Sequence, residues 1–407
     1  MNYITAKQAA ELWGITPRRV QDMCRNGDIK GVVRHGREWL IPKTAKKPSG
    51  SNKESTEITE PIPENNNVYS GIVDLYHEAG KADKIAEMLA QNPFSHDIFV
   101  SQLAFYRGDF KKSAELALKY ADENETNVAH RIAVGTQLLL CSFYSSDGKL
   151  WNRGKAYMQN TVCKNQVEQN ARDFWLAAGM STLSDATYFP EWFRRGDFSR
   201  LPPSALAPAS YNYVKFLYLN SKACADHGDH ESAREIIRAI PMVAEPLIGY
   251  VSAQKCIIIE IYLRLACALA YHIDGADSLA IPHIDKALDL AVPDRLYTPL
   301  AEYRRRFGFL MDERILERYE KHLPEIKRVS KSLVDGWIAL HNSILGKQVS
   351  STLSTREWQT AQLAAYGLTN KEIADRLGVT VNAVKQSLRL AMDKTGAESR
   401  SDLSKFL

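Results

Sequence analysis

Along the 407 residues, apolar side chains recur at helical spacing almost everywhere, and only one short stretch near the start alternates as strands do. The sharpest pattern is LSTREWQTAQLAAYGLTNKEIADRLGVTVNAVKQSLRLAMDKTGAESRSDL, which begins at Leu353. Ser354 is placed to cap a helix, Glu357 three residues on completes a capping box, and Leu353 with Trp358 forms a hydrophobic staple. Gly367 ends that helix. Thr369 and Glu372 repeat the box for a two-turn helix with Ile373, Ala374 and Leu377 on one side, and Gly378 stops it. Thr380 caps a third helix, with Val384, Leu388 and Ala391 facing inward and Asn382, Lys385, Gln386 and Arg389 on the opposite side.

Two short helices joined through a glycine turn make a helix-turn-helix whose second helix can enter a DNA major groove. Lysine and arginine suit guanine O6 and N7, and glutamine and asparagine suit adenine. Thr369, Asn370 and Lys371 stand where a phosphate could meet helix N-terminal amides. LSTRE, GLTNKEIADRLGVTVNAVK and KTGAESRSDL together resemble, in family order, the DNA-binding domain of LuxR-type transcriptional regulators. The resemblance covers about the last seventh of the chain. It implies base contacts through Lys385, Gln386 and Arg389, with Thr380 and Asn382 near the backbone. Thr360 and Ala361 depart from it, standing where bulkier aliphatics are usual, as do Val381 and Ala383, where polar residues often sit.

The other end carries a second reader, ITAKQAAELWGITPRRVQDMCRNGDIKGVVRHGREWLIP. Thr5 and Gln8 form a capping box and Gly14 ends the first helix, while Thr16 caps a second that opens on Pro17. Arg18, Gln21, Asp22 and Arg25 share one face, with Arg19 beside them, and Val20 and Cys24 point to a small core. Two short strands are expected at Lys30 to Val33 and Arg37 to Ile41, joined around Arg34, His35 and Gly36. This outline resembles the winged helix-turn-helix of the MerR and excisionase type. It implies DNA contacts from Thr16, Arg18, Arg19, Gln21 and Arg25 on the helix, and from Arg34, His35 and Arg37 on the wing.

Charge supports this assignment. Residues 1–50 hold ten Lys or Arg against four Asp or Glu, net +6, and residues 352–407 hold eight against six, net +2; with +4 overall, the middle carries −4. Basic ends on an acidic middle suit phosphate contacts at the termini. The segment Lys43 to Asn67 has no aromatics and is rich in Ser, Thr, Glu, Asn, Lys and Pro, as disordered linkers are. The most apolar window, Cys256 to Ala270, is interrupted by Glu260 and Arg264 and is too short to span a bilayer, so a cytoplasmic protein is expected. Six cysteines without CxxC spacing argue against disulfides and zinc.

From about Ser70 to Leu345 the periodicity is helical. A unit recurs at GDFKKSAELALKYA (from Gly108), DGKLWNRGKAYMQ (Asp147), GDHESAREIIRAI (Gly228) and DGADSLAIPHIDKALDLA (Asp274), each opening a helix after a turn. Spacings near forty residues, or double that, mean stacked helical hairpins. They loosely resemble tetratricopeptide-like repeats, and such a stack should expose a concave groove. His227, Asp229, His230 and Glu231 suggest a metal cluster but occupy the same turn as Gly108 to Lys111, so no metal is assigned. No phosphate loop, nucleophile elbow or HExxH helix occurs, which argues against an enzyme and against any cofactor. YFPEWFRRGDFSRLPP, from Tyr188, breaks the rhythm. Its Trp192, Phe193, Arg194 and Arg195 are the sequence's candidate for an effector contact at the groove edge.

The expected architecture is mainly α. A winged helix-turn-helix (1–45) and a linker (46–68) precede an α-solenoid sensor of helical hairpins (69–347), and a LuxR-type helix-turn-helix (350–407) ends the chain. The function implied is a bacterial transcription regulator that binds double-stranded DNA, probes for a small-molecule, peptide or protein effector, and acts as a homodimer without membrane association. The alternatives are a repeat scaffold for protein interactions and an excision or architectural factor of a mobile element.

Overall fold

The computed structural model describes residues 3–25, 28–35, 38–47, 72–183, 186–201, 205–345, 353–400 and 402–403. Two compact units emerge, Met1–Ile62 and Pro63–Leu407. The expected linker falls almost wholly outside the described residues.

In the first unit β1 (Tyr3–Thr5) leads into α1 (Ala6–Trp13) and α2 (Pro17–Arg25), followed by β2 (Val33–His35) and β3 (Glu38–Pro42). Thr5 and Gln8 close their capping box in both directions, and Gly14 takes the left-handed conformation at φ +66° that ends α1. The Thr16 hydroxyl accepts the Arg19 amide at 3.4 Å. The sheet runs β1-β3-β2 and is antiparallel throughout, with Tyr3 opposite Pro42 and Val33 opposite Leu40. Ile4, Ala9, Val20, Cys24, Ile29 and Ile41 form its core. The first wing strand thus starts at Val33 rather than Lys30, and Arg34 and His35 lie within it; Gly36 and Arg37 are outside the described residues.

The second unit begins with α3 (Ile72–Leu75) and α4 (Ala82–Leu89). Helical hairpins follow: α5 (Pro93–Tyr106) with α6 (Phe110–Leu118), and α7 (Val128–Ser145) with α8 (Gly148–Gln159). After α9 (Gln166–Met180) and the single turn α10 (Glu191–Arg194) come α11 (Leu206–Asp226) with α12 (His230–Ala253), and α13 (Ile257–Asp274) with α14 (Asp277–Ala291). The four recurring units are the second helices of these hairpins, and three begin beyond a glycine at positive φ: Gly108 (+82°), Gly228 (+81°) and Gly275 (+92°). At Gly108 the close approach of Val329 leaves no room for a Cβ. By length and composition α12 could cross a membrane; here it packs between α11 and α13.

After α15 (Tyr297–Phe307) and α16 (Phe309–Tyr319), α17 (Leu323–Leu345) turns back along α15 and α7. Gly336 permits that return, since a Cβ there would strike the Phe143 carbonyl. The buried Asp294 carboxylate fastens the first turn of the unit to the same region, accepting from the Tyr76 hydroxyl (2.5 Å) and from the Gly80 (2.5 Å) and Ala82 (3.2 Å) amides. The expected concave groove is therefore covered by α17, leaving a deep cavity. The unit ends in α18 (Thr355–Ala365), α19 (Asn370–Leu377) and α20 (Val381–Thr395).

Candidate nucleic-acid interface

The last three helices start where the caps place them. Ser354 and Glu357 close one capping box, Thr369 and Glu372 another, and the Thr380 hydroxyl accepts the Ala383 amide at 3.2 Å. Gly378 and Gly396 stop α19 and α20 in the left-handed conformation. Leu353, Ala361, Ile373, Val384, Leu388 and Ala391 form a small core. Glu357, besides capping, takes Lys394 at 2.7 Å and so ties α18 to α20. Burial pushes the Glu357 carboxyl up, but the hydrogen bonds from Lys394 and Ser354 outweigh it and hold the group below its ordinary value.

With Val384, Leu388 and Ala391 committed to the core, helical geometry turns Asn382, Lys385, Gln386 and Arg389 to solvent, and all four are exposed. Among the described residues nothing covers this face. Thr369 and Lys371 are exposed beside it. The Thr369 amide is already taken by Glu372 at 2.6 Å, so the open amides at this helix start are those that follow it. Asn370 accepts from Arg400 at 2.6 Å and is half-buried. Arg400, which the sequence reading left out, shares one shallow groove with Asn370, Lys385 and Arg389 and so adds a cation to the face. Its only sequence signal was its place in KTGAESRSDL.

In the first unit Thr16, Arg18, Arg19, Gln21 and Arg25 are all exposed along α2, with Arg25 paired to Asp22 at 3.1 Å. Arg34 is exposed on β2, its guanidinium 5.6 Å from the centre of the Trp39 ring.

The opposite side of the C-terminal reader is docked on the helical body. Tyr366 is 4% exposed and belongs to the body's core, and the Ser221 hydroxyl lies 3.4 Å from its own. Gln359 donates to the Phe307 carbonyl at 3.4 Å, and Arg376 donates to the His272 carbonyl. From the body, Arg305 places its guanidinium 4.7 Å from the centre of the Trp358 ring and donates to the Leu353 carbonyl at 2.6 Å. Gln359, Thr360 and Gln362 are buried, and Trp358 Nε1, Gln359 Oε1, Gln362 Nε2 and His230 Nδ1 have no partner among the described residues. Unanswered polar atoms weaken a buried interface.

The aromatic segment around α10 is a packing element. Phe193 is fully buried, stacks on Phe189 at 4.8 Å and meets Phe174 of α9 at 5.4 Å, while Phe198 meets Tyr213 of α11 at 5.3 Å. Trp192 is half-buried on the same cluster, and Arg194 and Arg195 are exposed, Arg195 paired with Glu191. The expectation of Phe193 at a groove edge is corrected: it fills the space between two helices. His227 and Asp229 make the turn before α12, where Asp229 caps it by accepting the Ser232 amide at 3.1 Å. Elsewhere Glu245, Cys267 and His283 bring three potential ligand atoms within 4.8 Å. There the imidazole contacts the carboxylate at 3.0 Å, and burial pushes the thiol up to about 12, keeping it protonated.

Residues 351–407 match the family described as bacterial regulatory proteins, luxR family, and residues 3–45 match that described as helix-turn-helix domain. No curated protein and no solved structure matches the chain. With both matched segments folded as capped helix pairs and their cationic faces open, this is a DNA-binding regulator that ends in a luxR-family helix-turn-helix and opens with a second helix-turn-helix.

Proposed function

We propose that the protein is a bacterial, cytoplasmic transcription regulator that acts by binding rather than catalysis, with its helical body receiving a signal and passing it to the docked C-terminal reader. The observation that carries this reading is the two-sidedness of that reader. Asn382, Lys385, Gln386 and Arg389 are free for the major groove while Tyr366, Gln359 and Gln362, on the other side, are buried in the body. A change in the body therefore reaches the reader without covering its bases-facing side. Lys385 and Arg389 serve as base contacts, Thr380, Lys371 and Arg400 as backbone contacts, and Arg18, Arg19, Arg25 and Arg34 as the phosphate contacts of the N-terminal reader. Two readers on one chain gain from effective concentration, and a homodimer would double each.

The test is selection of genomic fragments by the full chain followed by a salt titration. Recovered fragments should cluster near promoters, and affinity should fall by orders of magnitude between tens and hundreds of millimolar salt. Salt-insensitive association with proteins instead would mark a scaffold, and fragments bent at recombination ends would mark an excision factor.

A further inference from the structure

Where α5, α7, α11, α13 and α15 converge, the body holds a cavity of about 250 Å³, at the small end of ligand sites. Its walls are largely aromatic and aliphatic, but four ionic groups line it: Lys215 of α11, and Glu302, Arg305 and Arg306 of α15, with Arg305 turned to Trp358 and the Leu353 carbonyl. Lys215, itself half-buried, lies between Val214 and Phe216, both buried, and its ammonium is desolvated by the surrounding helices. A lysine here costs stability unless something answers its charge.

Among the described residues only Glu302 attracts it, through space and without a direct contact. Glu302 is the one carboxylate in the cavity wall, and it already accepts from the hydroxyls of Tyr144 and Tyr262. Among the described residues neither Lys215 nor Arg306 forms an ion pair, and Lys215 has no hydrogen-bond partner either. Arg306 is instead stacked between the rings of Tyr218 (5.2 Å) and Tyr303 (5.6 Å), which fixes its guanidinium without neutralising it. Burial pushes the Lys215 ammonium down to about 8, so it still carries its proton at neutral pH. The cavity is thus a cationic, aromatic-walled space with an anion missing from its charge balance. One further wall belongs to the reader: Leu353, Trp358 and Thr395 line it.

We propose that this cavity binds a small organic anion with an aromatic or compact apolar body, its carboxylate held by Lys215 and Arg306, and that occupancy holds the C-terminal reader in its docked position. This deepens the signal-receiving role proposed above. Binding itself needs no DNA, so failure of the ligand assignment and failure of the regulator reading give separate results.

The experiment is calorimetric titration of the full chain with 3-phenylpropanoate, indole-3-acetate and hexanoate, each beside its alcohol and amine counterpart. At least one carboxylate should bind, with its uncharged and cationic counterparts at least about tenfold weaker. Lys215→Met should lower that affinity by about tenfold or more while raising thermal stability, because a desolvated charge with no ion-pair partner is gone; Lys215→Arg should keep binding. Hydroxyl-radical oxidation of Trp358 and Tyr366 should fall when the carboxylate is bound. Absence of binding by all three carboxylates, equal binding of amine and carboxylate, unchanged binding by Lys215→Met, a loss of stability in that variant, or unchanged oxidation would each overturn the proposal.

Discussion

Arg305→Leu should loosen the reader from the body while leaving both folded. Arg305 contributes two contacts across the junction, a cation held 4.7 Å from the Trp358 ring centre and a hydrogen bond of 2.6 Å to the Leu353 carbonyl. A desolvated cation over tryptophan is worth about 2 kcal/mol. A hydrogen bond from a charged donor adds about 1.5–3 kcal/mol. Against them stands desolvation of the guanidinium, the main cause that brings its pKa down to about 10, and leucine recovers that cost. The net loss of docking energy is therefore about 1–3 kcal/mol, a shift of about 5- to 150-fold toward the undocked form. Tyr366 reports the outcome, since it is 4% exposed only because the reader is docked. Its oxidation by hydroxyl radicals should rise severalfold in Arg305→Leu with the main thermal transition little changed. Parental protection of Tyr366 in the folded variant would refute the reasoning.

Three further outcomes follow from other parts of the chain. Asp294→Ala strands the Tyr76 hydroxyl and two amides in a buried site and should cost about 3 kcal/mol or more, read as a lower denaturation midpoint at unchanged slope. Lys215 keeps its proton to about pH 10.4 when unfolded but loses it near 8 when folded, so between those values the unfolded state binds more protons and stability rises with pH. That rise, on the order of 3 kcal/mol at most, should be missing in Lys215→Met when the two proteins are compared at pH 7 and pH 9.5, and equal slopes would contradict it. Replacing Arg18 and Arg34 together by Ala should lower non-specific duplex affinity and reduce the salt slope by about 2, without changing which sequences are preferred.

The parts of the fold visible in the sequence are those set by neighbours three or four residues apart. Thr5 with Gln8, Ser354 with Glu357 and Thr369 with Glu372 are self-contained caps, so the helix starts could be read directly. Turn glycines such as Gly108 and Gly228 mark the hairpins for the same local reason. The strand β1 could not be read, because three residues acquire strand character only by pairing with β3 some thirty-five positions later. Nor could the cavity. Tyr144, Lys215, Tyr262 and Glu302 come from four helices, and each looks like an ordinary interior or amphipathic position until α17 closes the stack. Trp192 and Phe193 drew attention because they interrupt the periodicity, yet aromatics at a break more often fill a gap, as Phe193 does between α9 and α11. The exposed polar face of α20 was legible, since Val384, Leu388 and Ala391 leave Asn382, Lys385, Gln386 and Arg389 no other direction.

The central claim is that α20 reads DNA bases. Its most direct test measures the affinity of the full chain and of Lys385→Ala and Arg389→Ala for a selected genomic site and for a scrambled duplex, at one fixed salt concentration. Each substitution should weaken specific binding by about 1–3 kcal/mol and affect the scrambled duplex far less, with the helical content of the protein unchanged. Parental affinity for the selected site in both variants would contradict the account and remove α20 as the reader.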